Sequence, residues 1–160
     1  MYFSEPQIVF QEVPDEISLA LYISGCDLGC KGCHSVQTWS NTHGEKLTEE
    51  KLINFINKYK GMISCFLFYG GEWLEDELIH FFSIIKKHNI KICLYTGLTF
   101  EELKSKNYQL LYYLDFLKVG RWIKERGGLN SLTTNQMFLS WFNKERENAI
   151  LTFPVVTSAM

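Results

Sequence analysis

Apolar positions along this chain fall into two alternating patterns, short unbroken runs and segments with a helical period. Ile17 to Ser24 is an apolar, β-rich run that leads directly into Gly25. A loop through Asn41-Thr42-His43-Gly44 follows, and Thr48 then stands where it can cap a helix. Glu49 and Glu50 fall in that helix's first turn, where its dipole favours negative charge, and Leu52, Ile53, Phe55 and Ile56 supply an apolar face. Met62 to Tyr69 is a near-continuous apolar run ended by Gly70-Gly71, as suits a strand covered on both faces. Glu75 to His88 carries Leu78, Ile79, Phe82 and Ile85 at helical spacing. Ile90 to Tyr95 reads as a second buried strand, closed by Thr96-Gly97. Thr99 and Glu102 form a capping box for a short helix. Tyr113 to Val119 reads as a further strand ended by Gly120, and Ala149 to Phe153 as a late one.

Strand, helix, strand, helix, strand, helix, strand is the order that predicts a parallel sheet with crossover helices. The polar, glycine-bearing segments all follow strand ends: Gly25 to His34, Gly70 to Glu72, Thr96-Gly97 and Gly120-Arg121. In parallel α/β folds the carboxyl ends of the strands gather on one side, where ligands bind. A complete eight-fold barrel takes about 200 residues or more. The 160 residues here predict a single domain, 1–160, built as a partial, open β/α barrel of about five to six parallel strands.

Composition narrows the class. Hydrophobic residues make up 46% and aromatic residues 15% of the chain, enough for a core and too much for intrinsic disorder. The net charge of −2, without a long basic run, argues against a surface that reads nucleic-acid phosphates. Met1-Tyr2-Phe3-Ser4-Glu5-Pro6 lacks the charged and apolar regions of a signal peptide, and no stretch approaches the roughly 20 apolar residues of a membrane span. A cytoplasmic protein with neither nucleic acid nor membrane as partner is expected.

The chemistry-bearing feature is Cys26-Asp27-Leu28-Gly29-Cys30-Lys31-Gly32-Cys33-His34. Five cysteines, three of them crowded into this loop, do not make a disulfide framework. Cys65 and Cys93 lie in apolar runs and are expected to pack as small hydrophobes. Thiolates suit zinc, copper(I) and iron–sulfur clusters. Structural zinc takes four ligands; His34 adjoins Cys33 too closely to share one tetrahedral ion with it readily, and His43 is a more reachable fourth ligand. Three thiolates can instead hold three irons of a four-iron cluster and leave the fourth open, which is the favoured assignment for Cys26, Cys30 and Cys33. An electron carrier with one further ligand from outside the loop is another reading. Gly70-Gly71 at a strand end lets backbone approach a ligand closely, since no Cβ intervenes.

The C-x3-C-x2-C loop, together with Gly70-Gly71-Glu72 after the next strand, resembles radical S-adenosylmethionine enzymes. More particularly, the chain is similar to the small activators of anaerobic (class III) ribonucleotide reductases. Tyr22-Ile23-Ser24-Gly25-Cys26, Cys30-Lys31-Gly32-Cys33-His34, Thr38-Trp39, Tyr95-Thr96-Gly97, Asp115 to Arg121 and Thr134-Asn135-Gln136 carry the likeness, over roughly residues 17–136. One departure is Trp73, where the family usually has proline after Gly-Gly-Glu.

The resemblance implies a [4Fe–4S] cluster on Cys26, Cys30 and Cys33 whose open iron binds S-adenosylmethionine. Reductive cleavage would yield methionine and a 5′-deoxyadenosyl radical that takes hydrogen from a glycine Cα of the reductase large subunit. An electron donor such as flavodoxin or ferredoxin is implied as a second partner. Gly70, Gly71 and Glu72 would meet the methionyl ammonium, Gly32, Cys33 and His34 would lie along the adenosyl group, and Thr96 would reach the ribose or carboxylate. Arg121 and Asn135-Gln136 would touch ligand or partner, or serve structure; Asp115 reads as a strand-end hydrogen-bond partner and Trp39 as a packing lid over the loop. A partial barrel would leave a lateral opening for a partner's loop. The alternatives are activation of another glycyl radical enzyme, such as pyruvate formate-lyase, and a zinc-binding interaction module without catalysis.

Overall fold

A computed structural model describes residues 1–4, 6–140 and 151–152. In chain order its elements are β1 (Tyr2–Phe3), β2 (Gln7–Val9), β3 (Ser18–Tyr22), β4 (Glu45–Lys46), α1 (Glu49–Lys58), β5 (Cys65–Tyr69), α2 (Glu75–Lys87), β6 (Lys91–Tyr95), α3 (Phe100–Lys106), β7 (Phe116–Val119), β8 (Met137–Ser140) and β9 (Leu151–Thr152). Short 3-10 turns cover Val36–Trp39, Glu72–Leu74 and Tyr108–Tyr112.

The four apolar runs become β3, β5, β6 and β7, which pair in parallel in that order. The three predicted helices connect them. The Thr48 side chain accepts the Lys51 amide at the start of α1, and α3 begins with the full Thr99–Glu102 capping box. The fold is therefore mixed α/β, with one seven-stranded sheet in the order β2-β3-β5-β6-β7-β8-β9 and a separate β1–β4 ribbon.

Among the described residues four strands are parallel, against the five to six expected. β2, β8 and β9 each run antiparallel to their neighbours. The connection from β7 to β8 carries no helix among the described residues, and a return without a crossover helix leaves antiparallel pairing as the outcome. β1, β2 and β4 are two or three residues long and have no apolar run to announce them. β9 lies within the run Ala149 to Phe153, whose other residues lie outside the described ones.

The sheet is buried on both faces. On one, Leu19, Leu21, Phe66, Phe68, Ile92, Leu94 and Leu117 meet Leu52 and Ile56 of α1 and Leu78, Phe82 and Ile85 of α2. On the other, Ala20, Cys65, Leu67, Cys93, Phe116 and Phe138 pack with Val13 from the segment after β2. Cys65 and Cys93 are thus core residues; burial pushes the Cys65 thiol up to about 12 and raises that of Cys93, which keeps both protonated. Cys93→Ala is expected to cost about 1 to 2 kcal/mol of stability in denaturant unfolding, and to leave the iron content after reconstitution unchanged. Asp115 sits at the start of β7, where it accepts the Ile92 amide at 2.8 Å and pairs with Lys86, the structural role expected of it. Among the described residues no helix is long and apolar enough to cross a membrane.

Candidate functional site

The parallel register places Tyr22, Tyr69, Tyr95 and Lys118 in one row across β3, β5, β6 and β7. Each is at or near its strand's carboxyl end, so the row forms one wall of a cavity of about 420 Å³ that opens where the four loops converge. Tyr22 and Tyr69 stack at 4.3 Å between ring centres, and Tyr95 meets Tyr69 edge-on at 5.1 Å. Cys26, Cys30 and Cys33 line the same cavity, as do His34, Gly70, Glu72, Thr96 and Gln136.

The cysteine loop is held chiefly through Thr38. Its carbonyl accepts the amides of Gly25 at 2.7 Å and Cys26 at 3.1 Å, while its own amide and hydroxyl both reach the Ser35 carbonyl, at 3.0 and 2.7 Å. The Cys33 amide donates to the Cys30 carbonyl at 3.1 Å, and the Ser35 amide donates to the Cys33 sulfur at 3.3 Å. Leu28 is seated on Gly97, where a Cβ would lie 2.3 Å from the leucine methyl. That contact gives the glycine of Thr96-Gly97 its reason. All three thiols remain half-exposed. Burial, with the negative charge of Glu72 nearby, raises the Cys26 thiol above its ordinary value.

Glu72 is 4% exposed. Its Oε1 accepts from the Thr96 hydroxyl at 2.5 Å, and its Oε2 has no partner among the described residues. Burial holds its carboxyl above the usual carboxylate range, with the Thr96 bond working the other way. Thr96 also accepts the Leu98 amide at 3.0 Å, and the Asn107 side chain donates to the Glu72 carbonyl at 2.9 Å. The Thr96 hydroxyl thus gives its proton to Glu72 and lines the cavity beside it.

The other residues singled out divide. Gly71 packs on Ile23, and Gly32 stands exposed beside Trp122. Arg121 faces a neighbouring groove. Asn135 donates to the Arg121 carbonyl at 3.0 Å, and Gln136 to the Gly120 carbonyl at 3.2 Å; both thus brace the end of β7, and Gln136 alone of the pair reaches the cavity. Trp39 is 43% exposed; Thr38 beside it holds the loop through backbone bonds. His43 contacts the site's frame through its carbonyl, which accepts from Ser24 at 2.7 Å. No three His, Cys, Asp or Glu among the described residues are arranged around a single ion. A zinc ion needs such convergence, whereas a four-iron cluster takes each thiolate on a separate iron.

The tyrosine row, Trp122 and Lys118 were not foreseen. Trp122 lies 4.7 Å from the His34 ring, with its indole N–H unpartnered. Lys118 lies over the Tyr95 ring at 5.4 Å and makes no ion pair with a carboxylate among the described residues. Its signal was its two-residue spacing from Phe116 on a strand, which puts both on one face. Burial pushes its amine down to about 8 from 10.5. In that window only the unfolded chain binds the proton, so stability rises with pH from about 8 to about 10.5. Lys118→Met is expected to remove that part of the slope, measured by denaturant midpoints across the window.

Three thiols, a buried carboxylate with a vacant oxygen and a lone ammonium in one cavity match a thiolate-held cluster beside a ligand bearing both charges. The comparisons agree with the donor set. A family model described as a 4Fe-4S single cluster domain matches residues 17–138. Among curated proteins, the anaerobic ribonucleoside-triphosphate reductase-activating protein of Vibrio cholerae is 30% identical over 115 residues, 66% of this chain and 74% of its own. That of Haemophilus influenzae is 28% identical over the same coverage, and that of Enterobacteria phage T4 is 26% identical over 113 residues, 66% of this chain and 71% of its own. No solved structure matches at a comparable level. The chain belongs to the 4Fe-4S single cluster domain family, with reductase-activating proteins among its relatives.

Proposed function

We propose that this protein is a radical S-adenosylmethionine activase that places a glycyl radical on the large subunit of an anaerobic ribonucleotide reductase. The observation that carries the reading is the convergence of Cys26, Cys30 and Cys33 with Gly70, Glu72 and Thr96 on one cavity. In this reading the three thiolates hold the [4Fe–4S] cluster, and the sheet is an open, partial barrel. When bound, the cluster supplies the electron that splits S-adenosylmethionine into methionine and the 5′-deoxyadenosyl radical, which takes hydrogen from the partner's glycine.

The chain's own residues bind and orient. Glu72 offers a buried, unpartnered oxygen to the methionyl ammonium, and burial strengthens that attraction. Thr96 fixes the carboxylate's direction. Lys118, which lines the same cavity, supplies the opposite charge, so both ends of an amino acid can meet complementary groups. Cys33 and His34, with Gly32 behind them and Trp122 against His34, form the side along which the adenosyl group lies. The tyrosine row closes the cavity with ring faces and excludes water there, where a carbon radical needs dryness. The cavity is open to solvent on its loop side, which leaves room for a glycine-bearing loop of the partner. Flavodoxin or ferredoxin is the class of electron donor, and the cytoplasm the setting.

Anaerobic reconstitution with iron and sulfide, reduction, and mixing with the reductase large subunit tests this. The expected result is about four irons per chain, deoxyadenosine, and a glycyl radical doublet by electron paramagnetic resonance. One tightly held zinc without cleavage would overturn the reading. Cleavage with a radical on pyruvate formate-lyase instead would move the target, not the chemistry.

A further inference from the structure

We infer that Trp73 is a positioning residue that locks the cysteine loop to the glycine loop and sets the spacing between the two halves of the site. What each half holds rests on the function proposed above; the lock itself rests on geometry. Trp73 follows Gly70-Gly71-Glu72 directly. A proline stiffens a turn by fixing its φ, and tryptophan has no such means. The turn Glu72–Leu74 still closes, with the Leu74 amide on the Gly71 carbonyl at 2.8 Å.

The stiffness comes from the side chain. A Cβ built on Gly70 would meet the six-membered end of the indole, at 2.6 Å from Cη2 and 3.0 Å from Cζ3. A Cβ built on Gly25 would meet the other end, at 2.9 Å from Nε1. One rigid ring therefore spans the two loops and rests on a glycine at each. Gly25 immediately precedes the first thiol, Cys26, and Gly70 opens the loop that carries Glu72. Both glycines have positive φ, 104° and 79°. The indole also lines both the thiol cavity and the acidic groove beside it, so it stands between them. Trp73 packs against the edge of the main core and at the same time is wedged between two loops beyond the strand ends, with no partner for its N–H among the described residues.

The lock makes two loops mechanically dependent, which a core role does not. The test uses the full chain with Trp73→Ala, Trp73→Phe, Gly70→Ala and the Gly70→Ala/Trp73→Ala double variant. The readouts are iron retained under chelator challenge, S-adenosylmethionine affinity by equilibrium dialysis, and the apo-protein thermal midpoint. Trp73→Ala is expected to lose iron faster and to weaken S-adenosylmethionine by about ten- to a hundredfold, with Trp73→Phe, whose single ring cannot reach both glycines, falling between Trp73→Ala and the parent on both. Gly70→Ala is expected to do less harm in the Trp73→Ala background than alone, because its clash partner is gone. Trp73→Leu replaces Trp73→Ala if the latter does not fold. The lock is overturned if Trp73→Ala changes only the thermal midpoint, if Trp73→Phe is indistinguishable from the parent on iron and ligand, or if the Gly70 and Trp73 effects merely add. Should the parent hold iron yet bind no S-adenosylmethionine, the proposed function fails, and chelator kinetics with the double variant still decide the lock.

Discussion

Cys30→Ser is expected to give a folded chain that holds no stable four-iron cluster. Cys30 is half-exposed and outside the core, so the apo-protein should unfold within about 0.5 kcal/mol of the parent. The loss falls on the metal site. Soft iron–sulfur centres are held by thiolates, and a serine oxygen is a poor substitute. After reconstitution and desalting, iron should drop from about four per chain to below about one, and reductive cleavage of S-adenosylmethionine should vanish with it. Cys93→Ala is its mirror image, destabilising and iron-neutral. Finding the two signatures exchanged would place the cluster elsewhere in the chain.

Glu72→Gln carries the second large effect, with opposite signs on stability and binding. Burial holds the Glu72 carboxyl above its ordinary range. A raised acid contributes its stabilisation below the unfolded-state value and loses it as pH rises through the folded-state value. At neutral pH, above the unfolded-state value, the parent therefore bears the cost of burying an acid with one oxygen unpartnered among the described residues. Glutamine keeps the acceptor for Thr96 and removes the charge. The variant should be the more stable apo-protein at neutral pH, and the advantage should disappear on acidification below the unfolded-state value, where folded and unfolded chains both hold the proton. S-adenosylmethionine affinity should fall by about a hundredfold, since a hydrogen-bonded charge partner for the ammonium is lost. Thermal midpoints at several pH values, with equilibrium dialysis beside them, check both. A variant that is less stable and binds normally would remove Glu72 from the ligand.

Much of the fold was legible because the four central strands are buried on both faces. Continuous apolar runs such as Met62 to Tyr69 have few other interpretations, and caps at Thr48 and Thr99 marked helix starts sharply. The edge strands were not legible. β2 and β8 are set by pairing partners that local residues do not name, and the antiparallel return of β8 depends on what its connection lacks. The same division runs through the site. Cysteine spacing and Gly-Gly-Glu are local signals, readable along the chain. Lys118, Trp122 and the tyrosine row are not, because their shared wall exists only through strand register and loop packing.

The site's parts also differ in when they can come into being. Cys26, Cys30 and Cys33 lie within eight residues, so gathering them closes only a short loop at small entropic cost. Glu72, Thr96 and Lys118 are brought together by β5, β6 and β7 across parallel crossovers, the slow and non-local kind of pairing. A nascent or heat-loosened chain can thus present its thiols to iron before it owns a pocket. Metal capture and ligand recognition become separate events in the life of the protein, and heating should abolish the second while thiol-bound iron still lingers.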